Sequence, residues 1–167
     1  LDLKPFKEED QVEGVKYVQG DIRDIDLLYE VIEEIDVIIH AAASLALWDD
    51  ETIREVTVDG TRNILTVAAE RDVDRVLYVS SIVVYGERNK SPIKEDAELD
   101  AVGMYGQSKI WAEQICQEYR DELTIPILRP TSFIGPRRLG IFEILFDWIE
   151  DGATVPLIGR GDNRYQL

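Results

Sequence analysis

Apolar residues along the chain fall into two periods. Five short runs rich in β-branched residues have the length and make-up of strands: Val15–Val18, Val37–Ile39, Val76–Val79, Ile125–Leu128 and Val155–Ile158. The second and third are apolar almost throughout, which predicts strands buried on both faces. Between the runs the apolar positions step by three and four. One such stripe is Ile25, Leu28, Ile32 and Ile35; a second is Ile53, Val56, Gly60, Ile64 and Val67; a third is Ser108, Ala112, Ile115 and Tyr119. Asp24 stands where it can cap the first helix. Strand and helix alternate, so the predicted fold is α/β, a parallel sheet with right-handed crossovers. A long polar connection, Gly86 to Gly103, joins a buried strand to a helix, and ordered loops of that length are often functional. Beyond Pro130 come Gly135, Pro136 and Gly140, then an almost all-round apolar helix from Ile141 to Ile149, which predicts a change of subdomain near Pro130.

Composition narrows the function. The 167 residues fit one domain better than two, and 45% hydrophobic residues suffice for a core. Thirty-four acids against eighteen bases leave a formal charge of −16, which repels phosphate backbones and anionic lipid; neither nucleic acid nor membrane is expected as a partner. A single cysteine and a single histidine, Cys116 and His40, exclude a disulfide framework and a His- or Cys-rich metal site within one chain. No run nears the roughly 20 apolar residues of a membrane span, and no leader pattern is visible, so a cytoplasmic location is expected.

The candidate chemistry lies at the strand ends. Tyr105 and Lys109 are spaced i, i+4, neighbours on one helical face. An ammonium beside a phenol favours phenolate and makes proton exchange with a substrate hydroxyl feasible near neutral pH. The spacing alone equally fits an exposed helical pair. Ser80 and Ser81 follow the Val76–Val79 run, where ligands collect in a parallel sheet, although two serines there also suit backbone capping. His40-Ala41-Ala42-Ala43 ends the Val37 run in small residues that admit a flat ligand. Gly60, on a buried helix face, permits close packing of its helix on the sheet.

Together these pieces resemble the extended short-chain dehydrogenase/reductase, or NAD-dependent epimerase/dehydratase, family. The matching motifs are Gly20-Asp21-Ile-Arg-Asp24, His40 to Ala43, Asp59-Gly60-Thr-Arg-Asn63, Ser80-Ser81 through Tyr85-Gly86, Tyr105 to Lys109, and Leu128-Arg129-Pro130 through Gly135-Pro136. The resemblance implies a Rossmann-like doubly wound parallel sheet, incomplete here, with residues 1–130 as a partial NAD-binding domain and 131–167 opening a substrate-binding part. It implies Tyr105 as catalytic acid/base, Lys109 as its activator and a ribose ligand, and Ser81 as the group orienting the substrate oxygen. Asp21 with Ile22 would meet adenine, Ala41 and Ala42 would line the dinucleotide groove, and Asp2 would hold the adenosine ribose. That carboxylate favours NAD over NADP, since it repels a 2′-phosphate. Ser80, Arg129 and Pro130 fall on the cofactor side, Ser132 and Arg164 on the substrate side. No metal is implied.

Departures from the pattern shape the remaining expectations. The family's glycine-rich loop and first strand are absent, so the sequence reads as part of a longer enzyme, with weak NAD binding and a gap in the sheet between the Val15 and Val37 strands. Dehydratases of the family carry Asp-Glu after the serine or threonine; here Ile82-Val83 cannot transfer the extra proton. What remains is reversible oxidation of a secondary alcohol, foremost in a nucleotide-sugar epimerase. A ketone reductase or hydroxysteroid-type dehydrogenase is the alternative, since Ser132 replaces the epimerases' usual asparagine, and a non-catalytic nucleotide-binding regulator is the alternative of another class. Arg164 suits a diphosphate. Homodimers of the family commonly form through the helices that here hold Gly60 and Tyr105.

Overall fold

The computed structural model describes residues 1–7, 11–44, 46–87, 92–131 and 141–154, the last stretch without the side chains of 141–143 and 145. The chain divides into two compact units, Leu1–Arg129 and Pro130–Leu167. In chain order the first contains helix α1 (Ile25–Val31), strand β1 (Val37–His40), helix α2 (Asp50–Arg54), a π-helical turn (Glu55–Asp59), helix α3 (Gly60–Glu70), strand β2 (Arg75–Val79), a 3-10 turn (Ile82–Tyr85), helix α4 (Gly103–Glu118) and strand β3 (Ile127–Leu128). The second contains helix α5 (Ile141–Glu150), on which Ile144, Phe146, Trp148 and Ile149 are exposed.

The sheet is parallel, in the order β1-β2-β3, with Val37 opposite Arg75, His40 opposite Tyr78, and Val79 opposite Leu128. Asp24 caps α1 as expected, its Oδ1 accepting from the Leu27 N–H at 3.1 Å. The helix ends at Val31, before Ile35, because Ile32 leaves helical geometry at ψ 56, and the chain then turns through Glu34 at φ 57. Leu28 and Ile32 still reach the core, whereas Ile25 and Ile35 stay exposed. The second stripe is buried in full. α2, the π turn and α3 follow one another with right-handed helical dihedrals at each junction, so Ile53, Val56, Gly60, Ile64 and Val67 all face inward. A Cβ on Gly60 would stand 2.5 Å from Ile22 Cδ1, so the glycine admits the Gly20–Asp24 turn.

Two strand expectations need correction. Val15–Val18 is no strand: the segment makes one parallel bridge, Asp2 to Gln19, with Asp2 N–H bonded to Val18 O at 3.1 Å and Gly20 N–H to Asp2 O at 2.9 Å. With no neighbour on its other side among the described residues, it lacks the second ladder that would extend it. Nor is β1 buried on both faces. Ile38 and His40 turn to the helices, but Val37 is 53% and Ile39 69% exposed. Among the described residues the helices cover one face of the sheet, that of Val76 and Tyr78, and a core of Leu28, Ile64, Leu65, Ala112 and Ile115 forms there. The gap foreseen beside β1 is open: Leu1 to Leu3, Val18, Gly20 to Ile22 and β1 border a cleft of about 550 Å³. The expected strand at Val155–Ile158 lies outside the described residues.

The long connection after β2 is held in place. Its Asp100 N–H bonds to Val84 O at 3.0 Å, and Gly86, at φ 62, brings the chain so close to the Asp100 carbonyl that a Cβ would collide. Val84, Tyr85 and Ile110 form a small second core, with Ala97, Leu99 and Ala101 packed on it. This pins the loop against α4.

Candidate active site

The carboxyl ends of all three strands point to one region, where α4 passes. Lys109 is 2% exposed. Its Nζ donates to the Val79 carbonyl at 2.9 Å and lies 5.1 Å from the centre of the Tyr78 ring. An exposed helical pair with Tyr105 is therefore excluded, because the ammonium is inside, at the end of β2. Burial lowers its pKa to about 8, against the charge of Glu113, which raises it. Tyr105, one turn earlier, is half-buried, and its backbone carbonyl accepts from the Ser108 hydroxyl at 2.8 Å. Ser81 caps the 3-10 turn: its Oγ accepts from the Val83 N–H at 3.3 Å, which leaves the hydroxyl proton to be given elsewhere.

Ser80 and Arg129 are spoken for by other protein groups. The buried Ser80 hydroxyl donates to Glu113 Oε1 at 2.5 Å. Arg129, just after β3, donates through Nε to Glu113 Oε1 (2.9 Å) and through Nη2 to Oε2 (2.6 Å), a two-pronged pair. Its Nη1 reaches Tyr85 Oη at 2.7 Å and the Glu95 carbonyl at 2.8 Å, and the guanidinium lies 5.0 Å from the Tyr85 ring centre. The Arg129 pKa rises, chiefly through the bonds to Glu113. Pro130 follows, half-buried. Sequence reasoning missed Glu113 and gave Tyr85 no role beyond its place in a motif. The signal was present for Glu113, which follows Lys109 at i+4 as Lys109 follows Tyr105.

The residues assigned to the dinucleotide come together elsewhere. Asp2, Asp21, Ile22, Ala41 and Ala42 all border the cleft beside β1. Ala41 and Ala42 are exposed, so the end of β1 stays low. Asp21 accepts from Arg23 Nε and Nη2 at 3.0 and 2.7 Å, bonds that hold its pKa below the usual carboxylate range. Asp2 accepts from the Lys4 N–H at 2.9 Å. A carboxylate pair and an alanine-lined strand end fit an adenosine with free ribose hydroxyls; a glycine-rich turn for a diphosphate is not among these residues. His40, which also borders the cleft, is held neutral, its pKa lowered by burial to about 3. Ser132 and Arg164 lie outside the described residues. Among those described, no cluster of potential metal ligands occurs and no helix is long and apolar enough to cross a membrane.

The sequence profile of the NAD dependent epimerase/dehydratase family matches residues 2–167. The chain belongs to that family. Among its relatives in the epimerase/dehydratase family is the N-acetyl-alpha-D-glucosaminyl-diphospho-ditrans,octacis-undecaprenol 4-epimerase of Escherichia coli O157:H7, 31% identical over 86% of this chain and 45% of the relative. Similar solved structures include the dTDP-glucose 4,6-dehydratase DesIV of Streptomyces venezuelae with NAD and TYD bound (29% identity, TM-score 0.79, 92% of this chain and 50% of that one). Another is the UDP-glucuronic acid 4-epimerase of Bacillus cereus with NAD (26% identity, TM-score 0.74, 86% and 48%). The chain thus spans half or less of the length of these family members.

Proposed function

We propose that this chain carries the cofactor-side half of an NAD-dependent enzyme that oxidises and re-reduces a secondary alcohol, foremost a nucleotide-sugar 4-epimerase. The observation that carries the reading is the buried ammonium of Lys109 at the end of β2, one helical turn from Tyr105. NAD, when bound, supplies the hydride acceptor and donor. Tyr105 takes the proton of the substrate hydroxyl, and the positive charge of Lys109 favours the phenolate. Ser81, its oxygen fixed by the Val83 N–H, donates a hydrogen bond to the substrate oxygen and orients it without transferring its proton. Asp2, Asp21, Ile22, Ala41 and Ala42 border the place of the adenosine, and Asp2 favours NAD over NADP. Ser80, Arg129 and Pro130 stand behind the cofactor side, while Ser132 and Arg164 belong to the substrate side that residues 131–167 begin.

Dehydratases stand among the solved relatives, yet elimination needs an acid and a base beyond the tyrosine. The two residues after Ser81 are Ile82 and Val83, and the first packs on the small core beside α4. Neither can move a proton, which favours epimerisation. A cytoplasmic homodimer through the α3 and α4 helices completes the reading.

The test uses a full-length enzyme carrying this chain, supplied with NAD and with UDP-glucose or UDP-galactose. The expected result is sugar interconversion without net NADH. Tyr105→Phe should lower kcat by roughly 10²–10⁴-fold while NAD still binds. Net NADH from a non-nucleotide alcohol, or a Tyr105→Phe enzyme of full activity, would overturn the reading.

A further inference from the structure

Glu113 is the one buried carboxylate among the described residues, 4% exposed. A buried carboxylate costs heavily in desolvation unless its oxygens are fully bonded. Here three donors meet them, from Ser80 and from two nitrogens of Arg129. Arg129 is itself fixed by Tyr85 and by the Glu95 carbonyl, so the carboxylate is tied to β2, β3, the 3-10 turn and the long loop at once. Its own place on α4 is one turn beyond Lys109.

We propose that Glu113 is a positioning residue of the Tyr105–Lys109 site: clamped by Arg129, its carboxylate holds the buried Lys109 ammonium in the charged form at the end of β2. The consequence for catalysis rests on the reading above, because a neutral amine would no longer favour the phenolate of Tyr105. The groups that face Lys109 leave Glu113 that task. From β2 come the Val79 carbonyl and the Tyr78 ring, whose phenol burial keeps protonated. From β1 comes His40, neutral with its pKa at about 3. On α4 itself are Tyr105 and Cys116, the thiol pushed up to about 12 by burial. Arg129, from the end of β3, fixes the Glu113 carboxylate in place, and its own positive charge opposes a second cation at Lys109, so the attraction must come from Glu113. Desolvation pulls Lys109 towards the neutral amine, and Glu113 is the first cause opposing it.

The charge on Lys109 can be read without turnover. With ¹³C at lysine Cε the chain yields six signals, and that of Lys109 is the one lost in Lys109→Arg. Its midpoint is expected at about 8. Glu113→Gln, which keeps the shape and removes the charge, should lower the midpoint by roughly a unit or more. Glu113→Asp, which restores the charge, should recover most of that shift. An unchanged midpoint in Glu113→Gln, or an equal shift in Glu113→Asp, would overturn the proposal. If Glu113→Gln alone leaves Arg129 unpaired and fails to fold, Glu113→Gln/Arg129→Met removes both charges. A midpoint below wild type in that variant supports the proposal, and one at or above wild type overturns it. Failure of sugar interconversion in the full-length enzyme would sink the epimerase reading and leave these midpoints as they are.

Discussion

At the end of β1, His40 turns a ring that is ordinarily half-charged near pH 6.5 into a neutral one. Its Nε2 lies 2.9 Å from the Thr61 hydroxyl, its Nδ1 finds no hydrogen-bond partner among the described residues, and Tyr78 packs on the ring at 5.3 Å. Burial first, and the Lys109 charge second, lower the pKa to about 3. The unfolded chain therefore takes up a proton on His40 as pH falls through about 6.5, while the folded chain does not until about pH 3. Stability from this residue is present above 6.5 and is lost as pH falls towards 3. We expect His40→Gln to be less stable than wild type at pH 7.5, by about 1 kcal/mol for the lost packing and hydrogen bond. At pH 5 the gap should close and reverse, because wild type then carries an added cost of about 2 kcal/mol for keeping His40 neutral. Urea midpoints at the two pH values measure this, and a gap that stays constant would mean His40 titrates normally in the fold. Asp21 and Asp49, whose pKa values also lie low, contribute equally to both proteins and cancel.

At the scale of elements, the run from α2 through α3 depends on a missing side chain. Alanine is the better helix former by about 1 kcal/mol, and Gly60 has an ordinary helical φ of −61. Even so, Gly60→Ala should destabilise, because its Cβ would meet Ile22 Cδ1 at 2.5 Å and Cγ1 at 2.7 Å. Overpacking of this kind costs about 1–3 kcal/mol, enough to outweigh the propensity gain. Gly60→Ala with Ile22→Val, which deletes the Cδ1 atom, should recover part of the loss in a urea melt; no recovery would place the strain elsewhere. The helical stripe containing Gly60 was readable because 3.6-residue periodicity is local. What Gly60 packs against was not: the expected partner was the sheet, and the partner found is the turn before α1.

Across the whole molecule the charge of −16 sets the balance. Exposed ion pairs are few among the described residues, Arg23 with Asp21 and Glu55, Arg54 with Asp59, and Arg62 with Glu118, and pairs of this kind contribute little each. Self-repulsion among the excess acids then dominates, and salt screens it. Raising NaCl from 0.05 to 1 M should increase Tm by several degrees, on the order of 1–2 kcal/mol in stability. A lower Tm in salt would show that the ion pairs outweigh the repulsion.

What the sequence determined by itself was local or periodic: the α/β alternation, the Asp24 cap, the buried stripe from Ile53 to Val67, and Tyr105 and Lys109 one helical turn apart. Each depends on the neighbours within a turn or two of chain. The ordered motifs also sufficed to name the family. Tertiary structure decided what depends on distant partners. Whether Lys109 was an exposed helical charge or a buried one turned on a carbonyl thirty residues away, at Val79. Glu113 resembled any acid on a helix until Ser80 and Arg129 closed on it. Val15–Val18 and β1 had strand composition, but a strand is completed by its neighbours: among the described residues the first lacks a second ladder, and the second keeps Val37 and Ile39 uncovered. Backbone hydrogen bonding and burial across a sheet are properties of the assembled chain, and no run of apolar residues encodes them alone.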